Sequence, residues 1–111
     1  MQTFKDLKIW QSGIDLVGYT YEIIRNFPER ERFGLISQMT RAVVSVPSNI
    51  AEGYGRNSKK EFARFLDIAL GSLYELETQL IISVRLGYLE SFDENGIIRL
   101  KRSIIALKKS L

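Results

Sequence analysis

The sequence predicts an all-α fold: an antiparallel up-down-up-down four-helix bundle that fills residues 1–111 as one domain and assembles into a homo-oligomer. Three observations carry that prediction. Apolar residues recur at alternating steps of three and four along four segments, the spacing of a helix with one buried side. Residues that start and stop helices bracket those segments. The connections between them are short, which sets consecutive helices antiparallel. A chain of 111 residues is enough for one core and not two, and it contains no internal repeat, low-complexity tract or linker.

The first helix is predicted from Asp6, a good cap, to Asn26, where Phe27-Pro28 stops it. Leu7, Trp10, Ile14, Val17, Tyr21 and Ile24 form its expected core stripe. Ile9, Leu16 and Ile23 form a second stripe at intervals of seven. At 100° per residue, its centre lies roughly 130° from the first. A monomeric bundle helix needs only one such face, so the second is expected to be the surface for self-association.

The second helix is predicted from Glu31 to Tyr54, with Leu35, Met39, Ala42, Val46 and Ile50 as its core stripe. Between Phe33 and Ala51 the only charged side chain is Arg41, so this helix is expected to be covered on most sides. Pro47 has no N–H to donate and crowds the carbonyl of Val43, which predicts a kink or a restart there, the kink being favoured. Gly53 and Gly55 are expected to end the segment.

The third helix has the clearest start signal. Ser58-Lys59-Lys60-Glu61 fits a capping box, in which the Glu61 N–H donates to the Ser58 hydroxyl and the Glu61 carboxylate reaches back. Phe62, Phe65, Leu66, Ala69, Leu73, Leu76, Leu80 and Val84 make its core face, and Leu70, Tyr74 and Ile81 broaden it. Gly87 suits a left-handed C-cap. A short turn leads to Asp93, the expected cap of a fourth helix from Glu94 to Lys109, whose stripe is Ile97, Leu100, Ile104, Leu107 and Leu111.

Arg41, Ser45, Asn49 and Glu52 follow steps of four, four and three, so they share one ridge of the second helix. Ser72, Glu75 and Gln79 offer a matching row on the third. Buried polar groups are costly unless they find partners, so two such rows are expected to satisfy one another. The favoured reading is an interhelical network that fixes register and pairs Arg41 with a carboxylate. The competing reading is a pocket in which Arg41 binds an anion and Glu52 orients it.

Absent residues exclude more chemistry than present ones suggest. Without histidine or cysteine, the common zinc sites and the Ser-His and Cys-His nucleophile arrangements are excluded, so no metal, cofactor or enzymatic activity is expected. Glu75 and Glu77, two apart, point in different directions on a helix rather than at one substrate atom. The segment Gly53-Tyr54-Gly55-Arg56-Asn57-Ser58 lacks the last glycine and the preceding strand of a dinucleotide fingerprint. No secretion signal and no uncharged run long enough for a bilayer is found, so the expected location is cytoplasmic, with no membrane partner.

Net charge is +3, unevenly spread. Residues 72–98 carry Glu75, Glu77, Glu90, Asp93 and Glu94 against Arg85, a local charge of −4. Residues 99–111 carry Arg99, Lys101, Arg102, Lys108 and Lys109 with no acid, a local charge of +5. Arg56, Lys59, Lys60 and Arg64 against Glu61 give a further +3. Such polarity bears on partners rather than on fold.

Certain runs carry a resemblance. Phe27-Pro28 with Glu31, Gly34-Leu35, Gln38, and then Ser45-Val46-Pro47-Ser48-Asn49-Ile50-Ala51-Glu52-Gly53 resemble the signature of a bacterial four-helix-bundle family, the 23S rRNA intervening-sequence or ribosomal-protein-like proteins. Glu61-Phe62, Arg64-Phe65-Leu66, Ile68-Ala69, Gly71-Ser72-Leu73, Glu75-Leu76-Glu77, Gln79-Leu80 and Leu86-Gly87-Tyr88-Leu89 are similar to the same family's third helix. The resemblance implies a homopentamer of antiparallel bundles, and a relation to the accessory protein of diversity-generating retroelements, in which a basic pentamer engages nucleic acid and a reverse transcriptase. It implies no agreed enzymatic activity.

The expected function is therefore a non-enzymatic homo-oligomer that binds RNA or DNA through Arg56, Lys59, Lys60, Arg64, Arg99, Arg102 and Lys109, all contacting phosphates. Tyr54 is the one aromatic well placed among them. The alternative is a protein–protein scaffold with no nucleic-acid partner, docking another protein on the acidic 72–98 region or the basic ends.

Overall fold

Four helices form where the periodicity places them, and local capping accounts for most of their ends. The computed structural model describes residues 2–111. It contains α1 (Lys8–Ile24), α2 (Leu35–Tyr54), α3 (Lys59–Arg85) and α4 (Glu94–Ser110), with single 3₁₀ turns at Phe4–Asp6 and Glu29–Glu31 and no strand among the described residues. Among them no helix is long and apolar enough to cross a membrane.

Asp6 closes a capping box with Thr3 around the first 3₁₀ turn, so α1 starts two residues later than its expected cap and has no side-chain cap of its own. The α2 start is likewise later than Glu31, because Glu31 completes the second turn and its carboxylate accepts from the Leu35 N–H at 3.2 Å. At α3, the Glu61 N–H donates to Ser58 Oγ at 3.1 Å, the expected half of the capping box. The other half is replaced, since the Glu61 carboxylate turns to Arg64 instead. Asp93 caps α4 by accepting from the Gly96 N–H at 3.0 Å. Gly87, at φ 79°, ends α3 in a Schellman motif: the Tyr88 N–H donates to the Ser83 carbonyl and the Gly87 N–H to that of Val84.

Two core clusters show the topology. Ile9, Val46, Ile50, Leu66, Ala69, Leu73, Leu100 and Ile104 pack at one end. Ile24, Phe27, Met39, Ala42, Val43, Leu76, Leu80 and Ile97 pack at the other. The start of α1 thus lies with the end of α2, the start of α3 and the end of α4, so successive helices run antiparallel. Adjacent helices meet in a ring of α1, α2, α3 and α4, with α2 touching both neighbours extensively and α1 touching α4 least. Leu16 packs against both clusters.

The predicted split of α1 into a core stripe and an association stripe is reversed in part. Ile9 is a core residue, and Leu16 and Ile23 are half-buried against the clusters. Ile14 and Tyr21, expected inside, are 43% and 47% exposed. The reason is that α1 packs against α2 on one side and α4 on the other. The buried arc is therefore centred between the two stripes, on Gly13 and Thr20, which a count of apolar residues overlooks. At that centre the Pro47 ring lies so close that a Cβ on Gly13 would sit 3.3 Å from Pro47 Cβ. Pro47 neither restarts nor ends α2, which continues to Tyr54.

Gly53 also differs from its expected role. It does not terminate α2 but lies buried within it, where a Cβ would come 2.6 Å from Phe65 Cβ and 3.0 Å from the Phe62 ring. Gly55 is the residue that caps the helix. Between α3 and α4, Lys101 pairs with Glu77 at 2.8 Å and Lys108 with Asp67 at 2.7 Å. The two pairs run in opposite sequence directions, as antiparallel neighbours require.

Gly53→Ala is expected to destabilise the bundle, because overpacking costs about 1–3 kcal/mol while the gain in helix propensity is about 1 kcal/mol; the denaturant midpoint measures it. Glu31 joins the turn before α2 to the end of α3, since the Tyr88 hydroxyl donates to it at 2.8 Å. The Leu35 N–H and then the Tyr88 hydroxyl hold its carboxyl below the usual range. A lowered carboxylate pKa adds stability above the unfolded value of about 4.3, which disappears as pH falls through the folded value. Thermal melts should therefore show wild type losing stability below about pH 4.3 more steeply than Glu31→Gln.

Candidate nucleic-acid interface and the Arg41 groove

The basic candidates fall into two groups of different character. In the first, Arg56 follows α2 while Lys59, Lys60 and Arg64 lie in the opening turns of α3. Arg56 pairs with Glu52 at 2.9 Å and Arg64 with Glu61 at 3.2 Å. Both guanidinium groups lie over the Phe65 ring, 5.1 and 4.7 Å from its centre. These arginines cover the edge of the core as well as carrying charge. The hydrogen bond from Arg64 holds the Glu61 carboxyl below its ordinary range, and the same contact raises the Arg64 pKa. Lys59 and Lys60 are exposed and form no ion pair among the described residues. Cations at a helix N-terminus oppose the helix dipole, an unfavourable placement that the neighbouring Glu61 carboxylate offsets for Lys60.

The second group lies on α4. Positions 101 and 108 face α3, where their lysines are neutralised; Lys101 and Glu77 are only 15% and 20% exposed. Arg99, Arg102 and Lys109 fall on the outward arc, exposed and without ion pairs among the described residues. Arg102 and Lys109, seven apart, share one ridge. Arg99 also lines a groove of about 450 Å³ between α1 and α4, together with Lys8, Leu16, Ile97 and Leu100. Sequence reading passes over Lys8 because it stands apart from both charge clusters; only the α1–α4 contact places it in the same groove as Arg99. The groove also contains Asp15 and Asp93, and the Asp93 N–H donates to the Tyr19 hydroxyl at 2.8 Å. Tyr54 is half-buried, edge-on to Phe62 with ring centres 6.0 Å apart.

The antiparallel arrangement brings most of these groups to one end of the bundle. Phe62 and Leu66 of α3 pack in the same cluster as Leu107 and Leu111 of α4. Lys59 and Lys60 therefore share an end with Lys109, with Lys8 at the start of α1 and with Lys5 in the turn before it.

The polar rows form a smaller network than expected. Ser45 and Ser72 bridge α2 and α3 with hydroxyls 2.8 Å apart. Asn49 Nδ2 donates to both the carbonyl and the hydroxyl of Ser45, each at 2.8 Å. Glu52 instead pairs with Arg56. Gln79 is buried, and its Oε1 has no hydrogen-bond partner among the described residues. Arg41 is exposed and pairs with no carboxylate among the described residues, because Glu52 stands about three turns further along α2 and Glu75 lies beyond ion-pair distance. Arg41 lines a groove of about 390 Å³ between α2 and α3 with Gln38, Ala42, Ser45, Ser72 and Glu75.

Residues 5–110 match the family described as 23S rRNA-intervening sequence protein. The chain belongs to that family. All four helices lie within the match, as do the Arg41 groove and every basic candidate. A search of curated proteins found no match to this member of the 23S rRNA-intervening sequence proteins.

The serine bridge is open to a direct test. Ser72→Ala leaves the Ser45 hydroxyl its contact with Asn49, so the expected loss is about 1 kcal/mol, the net worth of one hydrogen bond. Urea denaturation checks it.

Proposed function

We propose that this chain is a non-enzymatic, self-assembling four-helix bundle that binds RNA or DNA through phosphate contacts repeated around a closed homo-oligomer. The observation that carries the nucleic-acid reading is the division of cations on α4. Lys101 and Lys108 are consumed by α3, whereas Arg99, Arg102 and Lys109 face outward unpaired, with Lys59 and Lys60 at the end where Lys109 lies. Such groups position a protein on a phosphate backbone without reading its sequence. The family's name, which refers to 23S rRNA, makes RNA the first probe.

Exposed apolar side chains support the assembly. Ile14, Tyr21, Val44, Ile68, Ile82 and Leu86 are each more than two-fifths exposed. The outer side of α2 has Arg41 as its one charge between Phe33 and Ala51. Five copies is the number the family resemblance implies. A net charge of +3 per chain is modest, but repeating it around a ring multiplies phosphate contacts through one multivalent encounter.

A mobility-shift titration with single-stranded and duplex RNA and DNA tests this reading. A complex is expected at low salt, with affinity falling steeply as salt rises, by a log–log slope of about −0.9 per phosphate contact on duplex DNA. Arg102→Gln and Lys109→Gln should each weaken binding to all sequences alike and flatten that slope by roughly one unit for each phosphate left without its cation. Absence of any complex at low salt would overturn nucleic-acid binding and leave the scaffold role, for which a protein captured after nuclease treatment is the positive result.

A further inference from the structure

Two helical glycines have no purpose within the chain. A Cβ added to Gly18 or Gly71 would meet nothing within 4 Å, whereas one on Gly13 or Gly53 would press on a neighbouring helix. Neither backbone needs glycine's conformational freedom, because among the described residues Gly87 alone has a positive φ. Glycine is the least favourable helix residue apart from proline, so both positions lose helix stability without an intrachain return. What glycine offers there is close approach by another backbone.

Each glycine lies within an exposed apolar ridge. On α1, Ile14, Gly18 and Tyr21 follow steps of four and three, with the two apolar side chains 43% and 47% exposed. On α3, Ile68, Gly71, Glu75, Ile82 and Leu86 share a ridge on the side next to α2, and its three apolar members are exposed. The helices α1 and α3 stand across the bundle from each other, each packed between α2 and α4. One chain therefore presents two different sticky faces that it cannot bring together itself. Unlike faces on one molecule make head-to-tail contacts.

Charge supplies one match for this pairing. Arg41 has no ion pair among the described residues and lies in the groove between α2 and α3, which Glu75 of the Gly71 ridge also lines. Gly18 is flanked by two exposed carboxylates, Asp15 one turn before it and Glu22 one turn after. Asp15 forms no ion pair among the described residues, and Glu22 has only the exposed Arg25, just past the end of α1.

We propose that a second copy of this chain docks its Gly18 ridge of α1 onto the Gly71 ridge of α3, with Arg41 of the receiving copy meeting the carboxylates beside Gly18. The inference rests on the self-assembly proposed above and assigns its two surfaces.

Gly18→Gln and Gly71→Gln test the pairing, with light scattering as the readout and circular dichroism to verify helix content. Both side chains enter open space in a single chain, so each variant should fold with at least wild-type helicity. Each alone should be monomeric. Mixed one to one at high concentration, they should form a heterodimer, because each supplies the face the other lacks. Wild-type mass for either variant alone, or no heterodimer in the mixture, overturns the pairing. If a glutamine variant loses its helices, the alanine variant at the same position takes its place in the same scheme. A monomeric wild type overturns the assembly reading itself, whereas an assembled wild type with unaffected variants overturns this contact alone.

Discussion

Close backbone approach of α2 to both neighbours is the constraint around which the bundle is organised. Gly53 admits Phe65 and Phe62 of α3 on one side, and Gly13 of α1 admits the Pro47 ring on the other. These contacts draw three helices together over most of the length of α2. The remaining helix, α4, is attached mainly to α3 through core packing and two ion pairs, leaving an open groove along α1. Pro47 costs α2 one backbone hydrogen bond, and its buried ring contributes packing against Gly13 in return.

That arrangement decides which charges remain available. An acidic stretch over residues 72–98 followed by a basic one over 99–111 reads in composition as a polarised surface. In the folded chain, Asp67 and Glu77 take the cations that point at α3, and Glu52 and Glu61 take the arginines around Phe65. What remains unpaired of the two basic clusters is therefore narrower than their count of basic residues suggests: the outward arc of α4 and the lysines at the start of α3. A narrow, unpaired set suits repeated phosphate contacts better than a dense patch satisfied from within.

The same packing explains the polar stripe. Ser45 and Ser72 bridge the α2–α3 seam because those helices lie close, and Asn49 joins them from the next turn. Arg41, one turn earlier on the same ridge, reaches no carboxylate and stays at the surface. The α2–α3 seam is crossed by hydroxyls and by the glycine–phenylalanine contact rather than by a buried ion pair, which avoids the desolvation cost of such a pair.

Local chemistry is enough to read the helices and most of their ends from sequence. Ser58, Asp93 and Gly87 act at their own helix termini through backbone groups within a few residues, and the apolar period reports burial of one side. Family membership is equally legible, since the run from Ser45 to Gly53 is specific in itself. What tertiary structure decided was which arc of each helix faces inward and which charges meet. Ile9 went inside and Ile14 outside because α1 has neighbours on both flanks, a fact absent from its own period. Lys101 found a carboxylate and Arg102, one residue on, did not, because only one of them points at α3. A period fixes relative angles around a helix, and only the neighbouring helices set the absolute direction.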